Sequence, residues 1–490
     1  MKSQSIKSTY LVLLILLLST LSYQHGYTQT KEVRKSRKSV KHAFSSNRSV
    51  IKRSFTNGSD FKIEYKGDIE VTDDDKDIKS ISRGGFIEIS KTTFGSRRKV
   101  YIESGSDGTL IKEYYEGRKK MSFEPEGKKW LAEILPEVVR STVIAAESRV
   151  NRFFNSGGAS AVLQEVAAIE SVYVKAVYLK LLLQKNNLSG TDLTAIAETA
   201  ADEVKSDYYL AQVMKEGTRQ FLKHDQSAKA FYSGLKSIGS DYYSAVVIKN
   251  ALEEHDPSSD QVVIILKAAE NIGSDYYMTT VLSEVLEKDN LSDNVITAVI
   301  DLSDEVGSDY YQSQVLKSAL KKEGLSVQSQ KSLVEALSNV QSDYYMATVF
   351  SEMVENNISE EQLLNLLEVI DDKMSSDYYA SSILSKMTKL KLSDKSYTAL
   401  MESAGNINSS YYSASILAKA AEKADNNESK IRAILKAAKN IDSDNYLSSV
   451  MLKLAPDVKK GNASLKDAYR DTAKAISSET YYGRVIRAID

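Results

Sequence analysis

Residues 273–306 read GSDYYMTTVLSEVLEKDNLSDNVITAVIDLSDEV, and GSDYY begins again at 307. The same start stands at 239–243, and SDYY without the glycine stands at 206–209, 342–345 and 376–379. Aligned on the second tyrosine, the series is Tyr209, Tyr243, Tyr277, Tyr311, Tyr345, Tyr379, Tyr412, Tyr446 and Tyr482, at intervals of 34, 34, 34, 34, 34, 33, 34 and 36. Tyr173 looks like an earlier, degenerate member. A fixed period near 34 with apolar residues at helical spacing predicts stacked helical hairpins. Each unit would be helix A, beginning SDYY, a short polar loop, and helix B, as in SDNVITAVIDLSDEV at 292–306. The Trp, Leu-Gly and Tyr positions of a tetratricopeptide unit are missing, so the expected fold is a HEAT-like α-solenoid of about nine 34-residue hairpins.

Local chemistry suggests what the motif does. Serine is a favoured helix N-cap, an acid in the first turn complements the helix dipole, and a preceding glycine suits the close of the previous helix. The second tyrosine is followed four residues later by Val213, Val247, Val281, Val315, Val349, Ile383, Ile416, Val450 or Ile486. Positions i and i+4 share a face, so the second tyrosine is expected in the core. The first tyrosine is followed at four by mainly polar residues and at three by small ones such as Ala211, Ala245 and Ala347. It is expected to lie half-exposed over a seam between repeats. Tyr208, Tyr242, Tyr276, Tyr310, Tyr344, Tyr378 and Tyr411 would then form one ladder, either a wedge between repeats or a surface for an extended peptide or a glycan.

Upstream of the repeats the character changes. Residues 60–125 alternate apolar and polar residues in FKIEY, GFIEIS, RKVYIES and TLIKEYYEG, punctuated by glycines. This predicts a small antiparallel β-meander of five to seven strands over 59–126. A helix over 128–154, with Trp130, Leu131, Ile134, Leu135 and Val138 as its stripe, would cover it and end at Gly157-Gly158. Connecting helices are expected over 127–170 and the solenoid over 171–490.

Residues 1–28 carry Lys2 and Lys7, then an apolar run from Tyr10 to Leu21, then small residues at Gly26 and Thr28. That is the pattern of a secretory signal cleaved before Gln29, with an uncleaved anchor as the alternative. The expected location is the periplasm or the exterior, with no transmembrane span after cleavage. The chain has 490 residues, only 4 prolines and no cysteine, which excludes disulfides, thiolate metal sites and cysteine nucleophiles. Net charge is −2, but residues 1–58 hold eleven Lys and Arg against the single acid Glu32, so the first 58 carry +10 and the rest −12. Residues 29–58 read as a basic flexible linker, suited to anionic envelope polymers. No nucleic-acid partner is expected.

Candidate chemistry is sparse. His25 leaves with the signal, His42 sits in the linker, and His224 and His255 have no second ligand at metal spacing. Thr72-Asp73-Asp74-Asp75-Lys76-Asp77 offers carboxylates at i, i+2 and i+4, but Ile78 stands where a calcium loop needs glycine. A charged hairpin turn is the expected reading. No P-loop, dinucleotide fingerprint or G-x-S-x-G elbow occurs, so no catalytic residue, metal or cofactor is assigned.

The stretches GDIEVTDDDKDIKSIS (67–82), GGFIEISKTTFGS (84–96), EPEGKKWLAEILPEVVR (124–140) and AAESRVNRFF (145–154), followed by SDYY units, resemble a group of secreted Bacteroidota SDYY-repeat proteins. They are also similar to the extracytoplasmic region of some BlaR1-type sensor metallopeptidases. The resemblance covers most of 61–490 and implies a β-meander head on HEAT-like repeats. It brings no peptidase role, because the H-E-x-x-H motif is missing. The expected function is a non-enzymatic scaffold binding a protein or peptide of the cell envelope. The alternatives are a regulatory ectodomain beside a membrane sensor and, more remotely, a hydrolase with an unrecognised site.

Overall fold

The computed structural model describes residues 49–54, 60–254, 257–322, 325–356 and 358–490. The signal segment, most of the basic linker, His25, His42 and His255 lie outside the described residues. The chain is mainly helical, with an antiparallel β region before a long helical array. It divides into two compact units, one ending at Leu188 and one spanning Ser189–Asp490. The helix Val172–Leu183, expected to open the array, belongs to the first unit.

Among the described residues the first unit holds eight strands: β1 (Ser49–Ser54), β2 (Asp60–Lys66), β3 (Ile69–Val71), β4 (Ile78–Ile81), β5 (Phe86–Thr93), β6 (Ser96–Ser104), β7 (Leu110–Glu116) and β8 (Lys119–Met121). Six form one antiparallel sheet in the order β1-β2-β5-β6-β7-β8, while β3 and β4 leave the meander as a separate hairpin. β1 pairs with β2 from Ser49 opposite Tyr65 to Ser54 opposite Asp60, so this part of the expected linker is sheet. Alternation turns Phe61, Ile63, Ile87, Ile89, Val100, Ile102 and Tyr114 inward, where they meet Trp130, Leu131, Ile134, Leu135 and Val138 of α1 (Lys128–Ser141).

The single helix expected over 128–154 is two. Thr142-Val143-Ile144 is a β-branched run, which resists helix. The Thr142 hydroxyl donates to the Val138 carbonyl at 2.8 Å and accepts from the Ile144 amide at 3.2 Å, competing with the helical ladder. α2 (Ala146–Ala168) follows after Ala145 at φ 58°. Gly157 and Gly158 break α2 rather than ending it, with Gly158 at φ 65°. α3 is Val172–Leu183.

The second unit is a two-layered array, with nine hairpins among the described residues. Its B helices begin with Gly190–Glu203 and end with Ala463–Ala473, and its A helices run from Asp207–Phe221 to Glu479–Arg487. Successive A helices pack on each other in one layer and successive B helices in the other. The β-branched position named above is fully enclosed from Val213 to Val450. The small-residue seam, including Ala211, Ala245, Thr279 and Ser313, is buried as well. Each unit buries its apolar face only by stacking on its neighbours.

The last unit corrects the alignment. Its A helix is capped at Ser478, so Thr480 takes the first tyrosine position and Tyr481 the second. Val485, not Ile486, is then the enclosed residue, and it is fully buried. In the same way Tyr173, with Ser171 as N-cap, matches a first tyrosine rather than a second.

Candidate interaction surface

In the eight A helices whose caps are described, the serine is an N-cap by position, yet its side chain takes no capping bond. At Ser206, Ser274, Ser308, Ser342, Ser376, Ser409, Ser443 and Ser478 ψ lies between 109° and 120° and no side-chain cap is made. The B helices differ: Ser189, Ser258, Ser326, Ser359 and Ser393 have ψ of 160–165° and each hydroxyl accepts from the N3 amide. The expected hydroxyl cap is therefore made on five B helices, though not at Ser292, and on none of these eight A helices.

The aspartate of SDYY reaches into the next unit. Asp207 accepts from the Gly239 amide at 3.0 Å, Asp241 from Gly273 at 3.2 Å and Asp275 from Gly307 at 3.0 Å. Asp309 accepts from Gln341 and Ser342, at 3.2 and 2.7 Å. Asp343 holds Ser375 and Ser376, Asp377 holds Ser409, and Asp444 holds Ser477 and Ser478. Each carboxylate satisfies backbone donors just before or at the start of the next A helix, with the added strength of an ionised acceptor. The glycines at 239, 273 and 307 are not in the left-handed region, so they are not the helix-closing glycines expected from sequence. A Cβ on Gly239 would meet only the Asp207 carboxylate at 3.6 Å, and later units place Gln341 and Ser375 there.

The seven first tyrosines are all exposed, from 48% at Tyr208 to 58% at Tyr378. The second tyrosines are half-buried rather than core. The enclosed position is the residue after them, as at Leu210, Met278 and Met346. The two sets form one structure. Tyr208 meets Tyr209 edge-on at 5.1 Å and Tyr243 of the next unit at 5.9 Å; Tyr242 meets Tyr243 at 5.0 Å and Tyr277 at 5.8 Å. The zigzag continues through Tyr276, Tyr311, Tyr310, Tyr345, Tyr344, Tyr379, Tyr378 and Tyr412 to Tyr411 and Tyr446. Fifteen rings are joined by edge-to-face contacts of 5.0–6.1 Å. Such geometry is favoured by the ring quadrupoles. Asn445 stands where the next ring would be.

Beside the ribbon, a hollow of about 320 Å³ opens between Tyr276, Tyr310, Tyr311, Thr279, Thr280 and Ser283, with Lys249, Glu284, Glu287 and Gln314 completing its lining. Along the A helices charges pair between units: Lys249 with Glu284 at 3.0 Å within this hollow, and farther on Lys386 with Glu355 at 2.7 Å and Lys453 with Glu422 at 2.7 Å. A larger hollow of about 580 Å³ lies near the C-terminal ends of two A helices, among Leu320, Lys322, Met353 and Gln362.

The first unit holds a separate polar centre. Arg149 is 1% exposed and donates to both Asp75 oxygens, at 2.8–3.1 Å, and to Glu165 at 2.7 Å. It also donates to the Tyr178 hydroxyl. Arg140 forks onto Glu165 with two bonds of 2.9 Å, and Arg152 bonds Asp75 at 2.8 Å and the Thr72 carbonyl at 3.0 Å. Burial works against the arginine charge, but Asp75, Tyr178 and Glu165 outweigh it and raise the Arg149 pKa. Burial pushes the Tyr178 hydroxyl up to about 12, against the pull of Arg149. Burial also opposes the Glu165 charge, yet Arg140 and Arg149 prevail and hold its carboxyl below the usual range.

The acidic turn at 72–77 thus faces protein groups. Asp75, at φ 56°, goes to the arginines, Asp74 accepts from Thr72 and the Lys76 amide, and Asp77 takes Lys112 at 2.6 Å. Among the described residues no cluster of His, Asp or Glu is arranged to hold a metal. His224 is exposed, its ring against Gly190. No described helix is long and apolar enough to cross a membrane.

Compared with known proteins, the chain matches no family model and no curated sequence. Among solved structures, one described as "Computational Design of Self-Assembling Cyclic Protein Homooligomers" is similar at 16% identity, over 68% of this chain and 93% of that one, with a TM-score of 0.11.

Sequence reasoning named the exposed tyrosines. It missed the second tyrosines as members of the same surface, the aspartate bonds between units and the arginine centre. The aspartate bond had a sequence signal. The acid and its partner stand 32 or 33 residues apart in unit after unit.

Proposed function

We propose that this protein is a secreted or periplasmic, non-enzymatic scaffold that binds a protein or peptide of the cell envelope along the A-helix layer of its repeat array. The observation that carries this reading is the fifteen-ring ribbon with seven exposed tyrosines. Tyrosine offers large, rigid contact area at low entropic cost and is enriched where partners are anchored. Here each ring is already held by its neighbours, so little further ordering accompanies binding. An uninterrupted aromatic surface on an exposed face is a feature of recognition sites. The basic segment before the sheet adds an electrostatic contact to anionic envelope polymers, one that weakens as salt rises.

The test uses the full chain, immobilised and exposed to envelope extract. Tyr276, Tyr310 and Tyr344 are replaced together with serine, and folding is checked by circular dichroism. A stoichiometric partner bound by the unmodified protein and lost from the folded variant is the expected result. A partner kept at full affinity by the variant overturns the reading.

A further inference from the structure

We infer that the ribbon takes a proline-rich, basic segment in the polyproline II conformation, one turn per repeat. The inference rests on the scaffold reading above and names its ligand.

Period is the first argument. Packed helices stand about 8–10 Å apart, and the ribbon advances one unit through one ring step of 5.0–5.1 Å and one of 5.8–6.1 Å. A polyproline II helix has three residues per turn at about 3.1 Å each, so it presents the same face every ~9.3 Å. A β-strand presents the same face every second residue, about 6.6–6.8 Å. A strand laid on the ribbon would meet one tyrosine and then fall out of step. A polyproline II segment meets each rung with an equivalent side.

Surface chemistry is the second. Polyproline II ligands dock in grooves walled by aromatic rings, where the flat prolyl ring seats on an aromatic face. The hollow bordered by Tyr276, Tyr310 and Tyr311 has such rings on one side, the short side chains of Thr279, Thr280 and Ser283 on another, and Lys249, Glu284, Glu287 and Gln314 around the rest. The short side chains beside the rings leave a ledge on which a prolyl ring can seat, and Glu287 adds negative charge at its edge.

Charge is the third. The lysines and glutamates of the A helices, including Lys249 and Glu284 in the hollow, answer one another between units. The aspartates adjoining the ribbon do not. From Asp207 to Asp377 each accepts only uncharged donors in the next unit, so a half-exposed row of negative charge runs beside the tyrosines, with no ion pair among the described residues. A three-residue turn points its side chains in three directions. Proline can face the rings while lysine or arginine faces the carboxylate row.

The probe is fluorescein-labelled (Pro-Pro-Lys)4, read by anisotropy on the full chain. Two peptides of equal length are compared: (Gly-Ser-Lys)4, with the same charge and no polyproline preference, and (Pro-Pro-Glu)4, with the conformation and the opposite charge. The expected result is binding at least tenfold tighter for (Pro-Pro-Lys)4 than for either. Replacing Tyr276, Tyr310 and Tyr344 with serine should abolish the difference; Tyr310→Ser alone should weaken it at least threefold and serves if the triple variant does not fold. Equal binding of (Pro-Pro-Lys)4 and (Gly-Ser-Lys)4, or a difference that survives the tyrosine replacements, overturns the inference. A displayed library of random 12-residue peptides separates this failure from that of the scaffold reading. Tyrosine-dependent binders without proline triplets overturn the ligand class alone. No tyrosine-dependent binder from either source overturns both.

Discussion

In the first unit, Asp75 is held by the buried Arg149 and the partly exposed Arg152. In the second, Asp309 is half-exposed and held by two backbone amides of the neighbouring repeat. Both carboxylates tie together segments that lie far apart along the chain. The first does so with charge against charge, on an arginine enclosed by protein, at a place used once. The second does so with charge against amide, at the surface, at a place used in nearly every repeat. A buried ion pair is costly to break because the surviving charge is stranded. A surface carboxylate that loses its amides is rehydrated, and the amides lose only one acceptor. The two regions should therefore fail very differently when these bonds are removed.

Arg149→Met is expected to have the largest effect. It leaves Asp75 and Glu165 without their shared cation and costs about 3–5 kcal/mol. Trp130 is the only tryptophan and sits in the core of the first unit, so its fluorescence follows that unit in a denaturant titration. Acid should act on the same centre. Glu165 has a folded pKa below its ordinary value, so its contribution is present above the unfolded pKa, about 4.3, and is lost as pH falls through the folded pKa. Glu165→Gln should flatten that acid limb of the Trp130 transition. An Arg149→Met protein whose Trp130 midpoint does not move would mean the centre does not hold the unit together.

Within the array, Tyr311→Ala and Tyr310→Ala measure how the ribbon divides its work. Tyr311 is half-buried and meets both Tyr276 and Tyr310. Its loss should cost about 2–3 kcal/mol, short of the ~3–5 of a fully enclosed aromatic. Tyr310 is 48% exposed and loses mainly its edge contacts to Tyr311 and Tyr345, worth about 1 kcal/mol. Equal shifts in the far-ultraviolet melt would place the two rings in one environment and contradict their burial.

Next in size come the aspartate bonds. Asp309→Ala removes the acceptor of two amides and should cost about 1–3 kcal/mol. Ser308→Ala, one residue earlier, should stay within about 0.5 kcal/mol because its hydroxyl caps nothing. Ser359→Ala on a B helix breaks a capping box and should cost about 1 kcal/mol. A Ser308→Ala cost as large as that of Ser359→Ala would restore the hydroxyl cap to SDYY.

This contrast also explains what can be read from the sequence. The array is legible because nine units state the same rule, and an enclosed position such as Val213 or Val281 recurs until chance is excluded. The exposed ladder follows from the same comparison. The aspartate reads as a helix-dipole acid because its partner lies one whole unit away, in backbone that carries no residue signature. The tyrosine pair of the last unit reads one residue late because Tyr481 and Tyr482 offer two registers and only the cap at Ser478 chooses between them. The arginine centre has no repetition to reveal it. Arg149 lies 74 residues from Asp75, and nothing in either local sequence marks the pairing. The β3–β4 hairpin looks like two more strands of the meander, since leaving the sheet changes neither the alternation nor the turn residues.

The smallest effect comes from the one described A helix in the series where the acid is missing. Ser410 stands at the aspartate position there. The residue just before the next capping serine is Asp442, where other units have Gly239, Gly273, Gly307, Gln341, Ser375, Asn408 and Ser477. A side chain at that place begins within ordinary contact of the carboxylate one unit earlier, as the 3.6–3.9 Å spacings at Gly239, Gly273 and Gly307 show. Two carboxylates at that range repel by about 1 kcal/mol in water. That is close to the gain from a new bond to the 442 or 443 amide, about 1 kcal/mol. Ser410→Asp alone should thus leave stability nearly unchanged, while Ser410→Asp combined with Asp442→Ser should raise it by about 1 kcal/mol. The double-mutant cycle isolates the coupling. A stabilising Ser410→Asp on its own would mean that the acid at 442 points away and that the exchange of charge between the two positions has no physical basis.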